Sequence, residues 1–120
     1  MDANSVKEWL VYVGTYTTGK SEGLYVYRMD ASTGELKFSS QVKGLDNPTF
    51  LTINKQHRTL YAIYEIHEYE GNECGVVGAY SIDSTTGELT LINEKSSVGT
   101  GPCHLYLDKT EKFVLVANYG

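Results

Sequence analysis

His104 follows directly on Gly99, Thr100, Gly101, Pro102 and Cys103, and its imidazole is the side chain most suited to proton transfer. A neutral imidazole accepts a proton near neutral pH, so it can serve as general base on an attacking water. A histidine bonded to the backbone of a neighbouring element accounts for the position equally well, and both readings stay open. Glu65 closes an apolar run, where its carboxylate can orient a histidine, accept from a substrate hydroxyl or cap a loop. Asn118 and Tyr119 close the corresponding run later in the chain, where amide and phenol groups can hydrogen-bond a polyol. The candidate site is therefore His104 as the catalytic group, with Glu65, Asn118 and Tyr119 as substrate-binding groups.

Other polar residues have plainer uses. Asn47 precedes Pro48, a pair common in turns. His57 stands in a short polar turn and reads as solvated. His67, Glu68, Glu70, Glu73 and Cys74 make an acidic loop whose spacing matches no familiar zinc pattern, so no metal and no cofactor are expected. Cys103 beside His104 suggests a thiol nucleophile, but adjacent strand residues point to opposite faces, and Cys103 reads as a small packing residue. Cys74 and Cys103 form no CxxC pair and read as reduced thiols, although two cysteines can in principle pair.

The elements that carry these residues come from an internal repeat. The turn Asp30 to Leu36 (DASTGEL) returns 53 residues later at Asp83 to Leu89 (DSTTGEL). The segment around Pro48 returns 54 residues later around Pro102, and LYAIYE from Leu60 answers to VLVANY from Val114. LVYVGTY from Leu10 is an earlier copy of that last segment. The segments are short, rich in Val, Leu, Ile, Tyr and Thr, and bounded by turn residues, which predicts strands. No window shows a capped helical stripe. Ten tyrosines against three phenylalanines suit strands that bury a ring and keep a hydroxyl near a polar partner.

Nine strands follow, beginning near residues 10, 23, 35, 48, 59, 75, 88, 102 and 113, with four per repeat. Four-stranded units of this period predict an all-β propeller of antiparallel blades. An immunoglobulin-like sandwich also uses short strands, but gives no reason for matched turns and prolines. With strands a to d counted outward from the channel, the chain reads b-c-d, a-b-c-d, a-b. That is about two blades, and the expectation is that residues 1–120 form the N-terminal part of one longer propeller domain. Assembly of several copies into a closed ring is the alternative. The d-to-a and b-to-c loops share an upper face and are the richer ones: 15–23, 43–48, 65–75 and 95–104. Binding residues collect on loops carried by a rigid scaffold, so this face is the candidate site.

A net charge of −5 with no basic stripe argues against nucleic acid and acidic membrane surfaces as partners. No apolar run is long enough to span a bilayer, and residues 1–13 carry no signal-like run, which predicts a cytoplasmic protein.

An ordered set of segments adds a family to this reading: YVGTYT from Tyr12, GLYVYRMDASTGEL from Gly23, NPTFL from Asn47, LYAIYE from Leu60, GPCHLYLD from Gly101 and VANYG from Val116. Together they resemble the bacterial-type 6-phosphogluconolactonase family, which has carboxymuconate lactonising relatives. The resemblance implies a seven-bladed propeller in the cytoplasm that hydrolyses 6-phosphogluconolactone to 6-phosphogluconate in the pentose phosphate route. It implies a small-molecule sugar lactone as partner and leaves the oligomeric state open. His104 matches the histidine implicated in catalysis in the related cycloisomerases. The arginines implied with it would lie beyond Gly120, and Arg28 and Arg58 are placed away from the upper face. Tyr64 departs from the family's asparagine, which puts a local polar contact in doubt. A propeller used as a non-catalytic binding scaffold and a carboxymuconate-type cycloisomerase are the alternatives.

Overall fold

The computed structural model describes residues 7–120. Residues 1–6, which open the expected 1–120 domain and the stretch without a signal-like run, lie outside the described residues. The strands are β1 (Glu8–Val13), β2 (Gly23–Asp30), β3 (Leu36–Lys43), β4 (Phe50–Ile53), β5 (Thr59–Tyr64), β6 (Val76–Ile82), β7 (Leu89–Ser96), β8 (Pro102–Leu107) and β9 (Val114–Asn118). They form sheets ordered β1-β2-β3, β4-β5-β6-β7 and β8-β9, all antiparallel. This is the b-c-d, a-b-c-d, a-b partition read from the repeat.

The repeat holds in register as well as in sequence. In the first sheet β2 and β3 shift register between Val26 and Tyr27; in the second β6 and β7 shift between Ala79 and Tyr80. These positions are 53 residues apart, so each blade carries the same bulge, which increases local twist. The c-to-d turns are also copies. Asp30 accepts from the Ser32 and Thr33 amides at 2.8 and 3.0 Å, and Asp83 from the Thr85 and Thr86 amides, both at 2.8 Å. Gly34 and Gly87 follow at φ 79° and 78°, a left-handed conformation that a side chain would disfavour.

These turn bonds stabilise the ionised aspartates. The Ser32 hydroxyl and the Ser32 and Thr33 amides hold Asp30 below its usual value of 3.8, and the Thr86 and Thr85 amides do the same for Asp83. A carboxylate depressed on folding adds stability above its unfolded pKa and loses it as pH falls through the folded value. An Asp30→Asn, Asp83→Asn double variant of the natural gene product should therefore unfold at lower urea than the parent at pH 7. The gap should close as pH drops below about 3.9. A gap that stays constant down to pH 2 would show that the charges contribute nothing.

Alternation decides which faces meet. Leu60, Ala62 and Tyr64 share one face of β5 and pair with Tyr80, Gly78 and Val76 of β6. That face packs on Leu24 and Val26 of β2, and the eight-residue cluster completed by Leu89 is the core between the first two blades. Leu105 of β8 is fully buried, and β8 packs on β4 and β5. The two outward faces stay apolar: Trp9, Leu36 and Phe38 at one end are 54%, 50% and 57% exposed, and Tyr106 and Leu115 at the other are also exposed. The described residues extend over 56 × 37 × 22 Å in three successive sheets.

Tyr64 is buried in this core and its hydroxyl meets that of Tyr80. It also donates to Glu94 Oε2 at 2.7 Å, and Tyr69 donates to Glu94 Oε1 at 3.3 Å. A Cβ at Gly78 would fall 2.6 Å from the Tyr64 hydroxyl, so the glycine makes room for this cluster. Burial, then the bonds with Tyr80 and Glu94, push the Tyr64 phenol far above its usual value and keep it a donor.

Candidate functional site

The upper loops are tied together before any reactive group is placed. Asn47, at φ 49°, accepts from the Thr17 amide at 2.8 Å and donates its own amide to Thr17 Oγ1 at 3.0 Å. Its carbonyl takes the Glu65 amide at 2.9 Å, and its side chain donates back to the Glu65 carbonyl at 3.3 Å. Asn47 thus joins three loops of two blades, consistent with its reading as a structural turn residue.

Glu65 is half-buried at the end of β5. Its Oε1 accepts from Thr49 Oγ1 at 2.8 Å, and Tyr16 Oη donates to the carboxylate at 3.0 Å from Oε1 and 3.1 Å from Oε2. Tyr16 comes from the loop after β1 and Thr49 immediately precedes β4, so one carboxylate is held by two blades. The Glu65 hydrogen bond and charge raise the Tyr16 phenol above its usual value, with burial and the nearby Cys103 adding to the effect.

His104 is exposed on β8, and its ring centroid lies 4.5 Å from that of Phe50, tilted 46°. Phe50 is the residue 54 positions earlier, at the same place on the inner strand of the preceding blade. Equivalent inner-strand positions of adjacent blades therefore stack on each other at the upper rim. The reading of Cys103 as a packing residue is corrected by the structure: Cys103 is a free, exposed thiol. The reason is local. β8 shifts register between Pro102 and His104, which suspends strict alternation and leaves Cys103 and His104 both exposed between buried Pro102 and Leu105. Cys74 is free and buried.

Asn118 pairs with Pro102, and its side-chain amide donates to the Ser97 carbonyl at 3.0 Å. The Tyr119 side chain is 90% exposed, while its amide bonds the Gly101 carbonyl at 2.9 Å. Two clusters result. Thr49, which holds Glu65, is followed at the start of β4 by Phe50, which stacks on His104, while Asn118 and Tyr119 bond across to the 97–102 segment at the end of β9. His57 is exposed at φ 57° in a lower turn, and His67 is exposed in the 65–75 loop. Arg28 pairs with Glu8 at 3.5 Å and donates to the Thr86 carbonyl at 3.3 Å, away from the upper rim. Among the described residues, no group of three His, Cys, Asp or Glu has metal-binding geometry, and no helix is long and apolar enough to cross a membrane.

Tyr16, Thr49 and Phe50 are the site residues that the sequence reading missed. A signal for Tyr16 existed: with LVYVGTY aligned to TLYAIYE and FVLVANY, Tyr16, Glu65 and Tyr119 all fall at the end of the b strand. The contacts of Thr49 and Phe50 depend on the angle between blades and had no such signal.

Comparison with known proteins places this architecture. The chain is 40% identical over 112 residues to the 6-phosphogluconolactonase of Bacillus subtilis, covering 93% of this chain and 31% of the relative. It is 33% identical over 110 residues to the 6-phosphogluconolactonase of Formosa agariphila, covering 91% and 30%. The solved structure of the Pseudomonas aeruginosa periplasmic gluconolactonase superposes with a TM-score of 0.84 at 32% identity, over 93% of this chain and 31% of that one. The chain thus spans about a third of the length of these proteins. Residues 10–120 match the family described as Lactonase, 7-bladed beta-propeller. With the blade partition, the shared bulges and this match, the chain belongs to the lactonase family of seven-bladed β-propellers.

Proposed function

We propose that the protein hydrolyses a sugar lactone, with 6-phosphogluconolactone giving 6-phosphogluconate as the reaction. The observation that carries this reading is the His104 imidazole, exposed at the rim on a bulged inner strand and stacked on Phe50, whose neighbour Thr49 holds the Glu65 carboxylate. That arrangement suits general-base activation of water. The water oxygen attacks the ring carbonyl while its proton passes to His104, giving a tetrahedral oxyanion. Collapse breaks the bond from the carbonyl carbon to the ring oxygen, which takes the proton from the imidazolium. The products are the open-chain acid and a regenerated neutral histidine.

Glu65, Asn118 and Tyr119 are assigned to the substrate hydroxyls. Glu65 retains acceptor capacity beyond its bonds to Thr49 and Tyr16, Asn118 keeps its side-chain oxygen, and Tyr119 offers an exposed phenol. The two free thiols suit a reducing cytoplasm; fractionation of native cells would test that location, since one relative is periplasmic.

Acid release from 6-phosphogluconolactone and from gluconolactone by the purified natural gene product tests the activity. Acceleration well above spontaneous hydrolysis is expected. Spontaneous rates with both lactones would overturn the assignment, and turnover of a carboxymuconate lactone alone would move the protein to the cycloisomerases.

A further inference from the structure

We propose that Tyr16 is a substrate-binding residue, whose phenol oxygen and the Glu65 carboxylate together receive neighbouring hydroxyls of the sugar lactone. The inference rests on the lactonase reading above and assigns a residue and a chemical selectivity within that site. Tyr16 Oη directs its proton at the carboxylate, with both oxygens within 3.1 Å. A phenol that donates in this way has lone pairs left, and it meets a ligand as an acceptor. The carboxylate holds two donors and has room for more. The pair is therefore an acceptor surface, matched to groups that donate, which on a sugar lactone are the hydroxyls.

Three further observations place this surface at the site. Tyr16 is 58% exposed, so a ligand can reach it. Its partner Glu65 is bound by Thr49, the residue before Phe50, whose ring stacks on His104. Its loop is locked to the next blade by the paired Thr17–Asn47 bonds and by the Thr15 amide on the Pro48 carbonyl at 3.0 Å. A side chain on a loop fastened this way is preorganised, so little is lost in ordering it when a ligand binds. The same negative surface disfavours a phosphate, which sets the lactone's orientation with its hydroxylated ring against Tyr16 and any anionic end turned away.

An inter-blade tie with no ligand contact would show the same Tyr16–Glu65 bond, so the test must separate binding from folding. In the natural gene product, Tyr16→Phe keeps the ring and removes the acceptor. KM for gluconolactone should rise about tenfold, the effect of one lost hydrogen bond to a charged cluster, with kcat within about twofold of the parent. Tyr16→Met, which also removes the phenol oxygen, should raise KM in the same direction and stands in if Tyr16→Phe does not fold. An unchanged KM, or a fall in kcat at constant KM, would overturn the proposal while leaving the lactonase reading intact. A parent protein that hydrolyses no lactone would overturn both.

Discussion

Replacing His104 by Gln should lower kcat for lactone hydrolysis by about 10²- to 10⁴-fold, the usual span for a general base. Glutamine preserves much of the length and hydrogen-bonding capacity of histidine but cannot take a proton near neutral pH. The protein itself should tolerate the change. His104 is exposed, and its side chain rests on Phe50 rather than in the blade core, so the melting temperature should move little. KM should also stay close to the parent value, because the groups assigned to the hydroxyls are elsewhere. That combination of low kcat, held KM and held stability separates a chemical role from a packing role. Wild-type-like turnover in both His104→Gln and His104→Ala would remove the histidine from the mechanism. The stack on Phe50 would then be its whole purpose.

Replacing Leu60 by Ala should cost about 2–5 kcal/mol of stability, read from the urea midpoint of the natural gene product. Leu60 has no exposed surface and sits in the second strand of the four-stranded blade, opposite Tyr80 and within the cluster containing Leu24 and Val26. The change removes buried methyl groups and leaves a cavity between two blades that are also tied by hydrogen bonds at the rim. Those ties limit relaxation, which puts the loss toward the larger end. Leu91→Ala is the control, because Leu91 is half exposed on the outer strand and its truncation should cost well under about 1 kcal/mol. Equal losses at the two positions would mean that the contact between the first and second blades is not where the stability resides.

Much of this fold was legible along the chain because its causes are local. Asp30 with Gly34, and Asp83 with Gly87, build turns from bonds within a few residues, so the same letters predict the same turn wherever they occur. Period-two runs such as GLYVYRMD and GVVGAYSID carry their strand preference in composition and alternation. Their recurrence near 53 residues supplied the blade, and the placement of His104 and Glu65 on one rim followed from antiparallel counting.

Tertiary structure alone decided what those residues touch. Tyr16 reaches Glu65 across 49 positions, and Phe50 meets His104 across 54, because twist and the angle between blades bring separate sheets together at one edge. The register shift at Pro102 to His104 exposes Cys103 where alternation alone would bury it. Strand, turn and repeat depend on interactions a few residues long and so are written locally in the sequence. The contacts at the rim depend on how rigid blades stack, and a displacement of a few ångströms there would make or break them with no change in any local pattern.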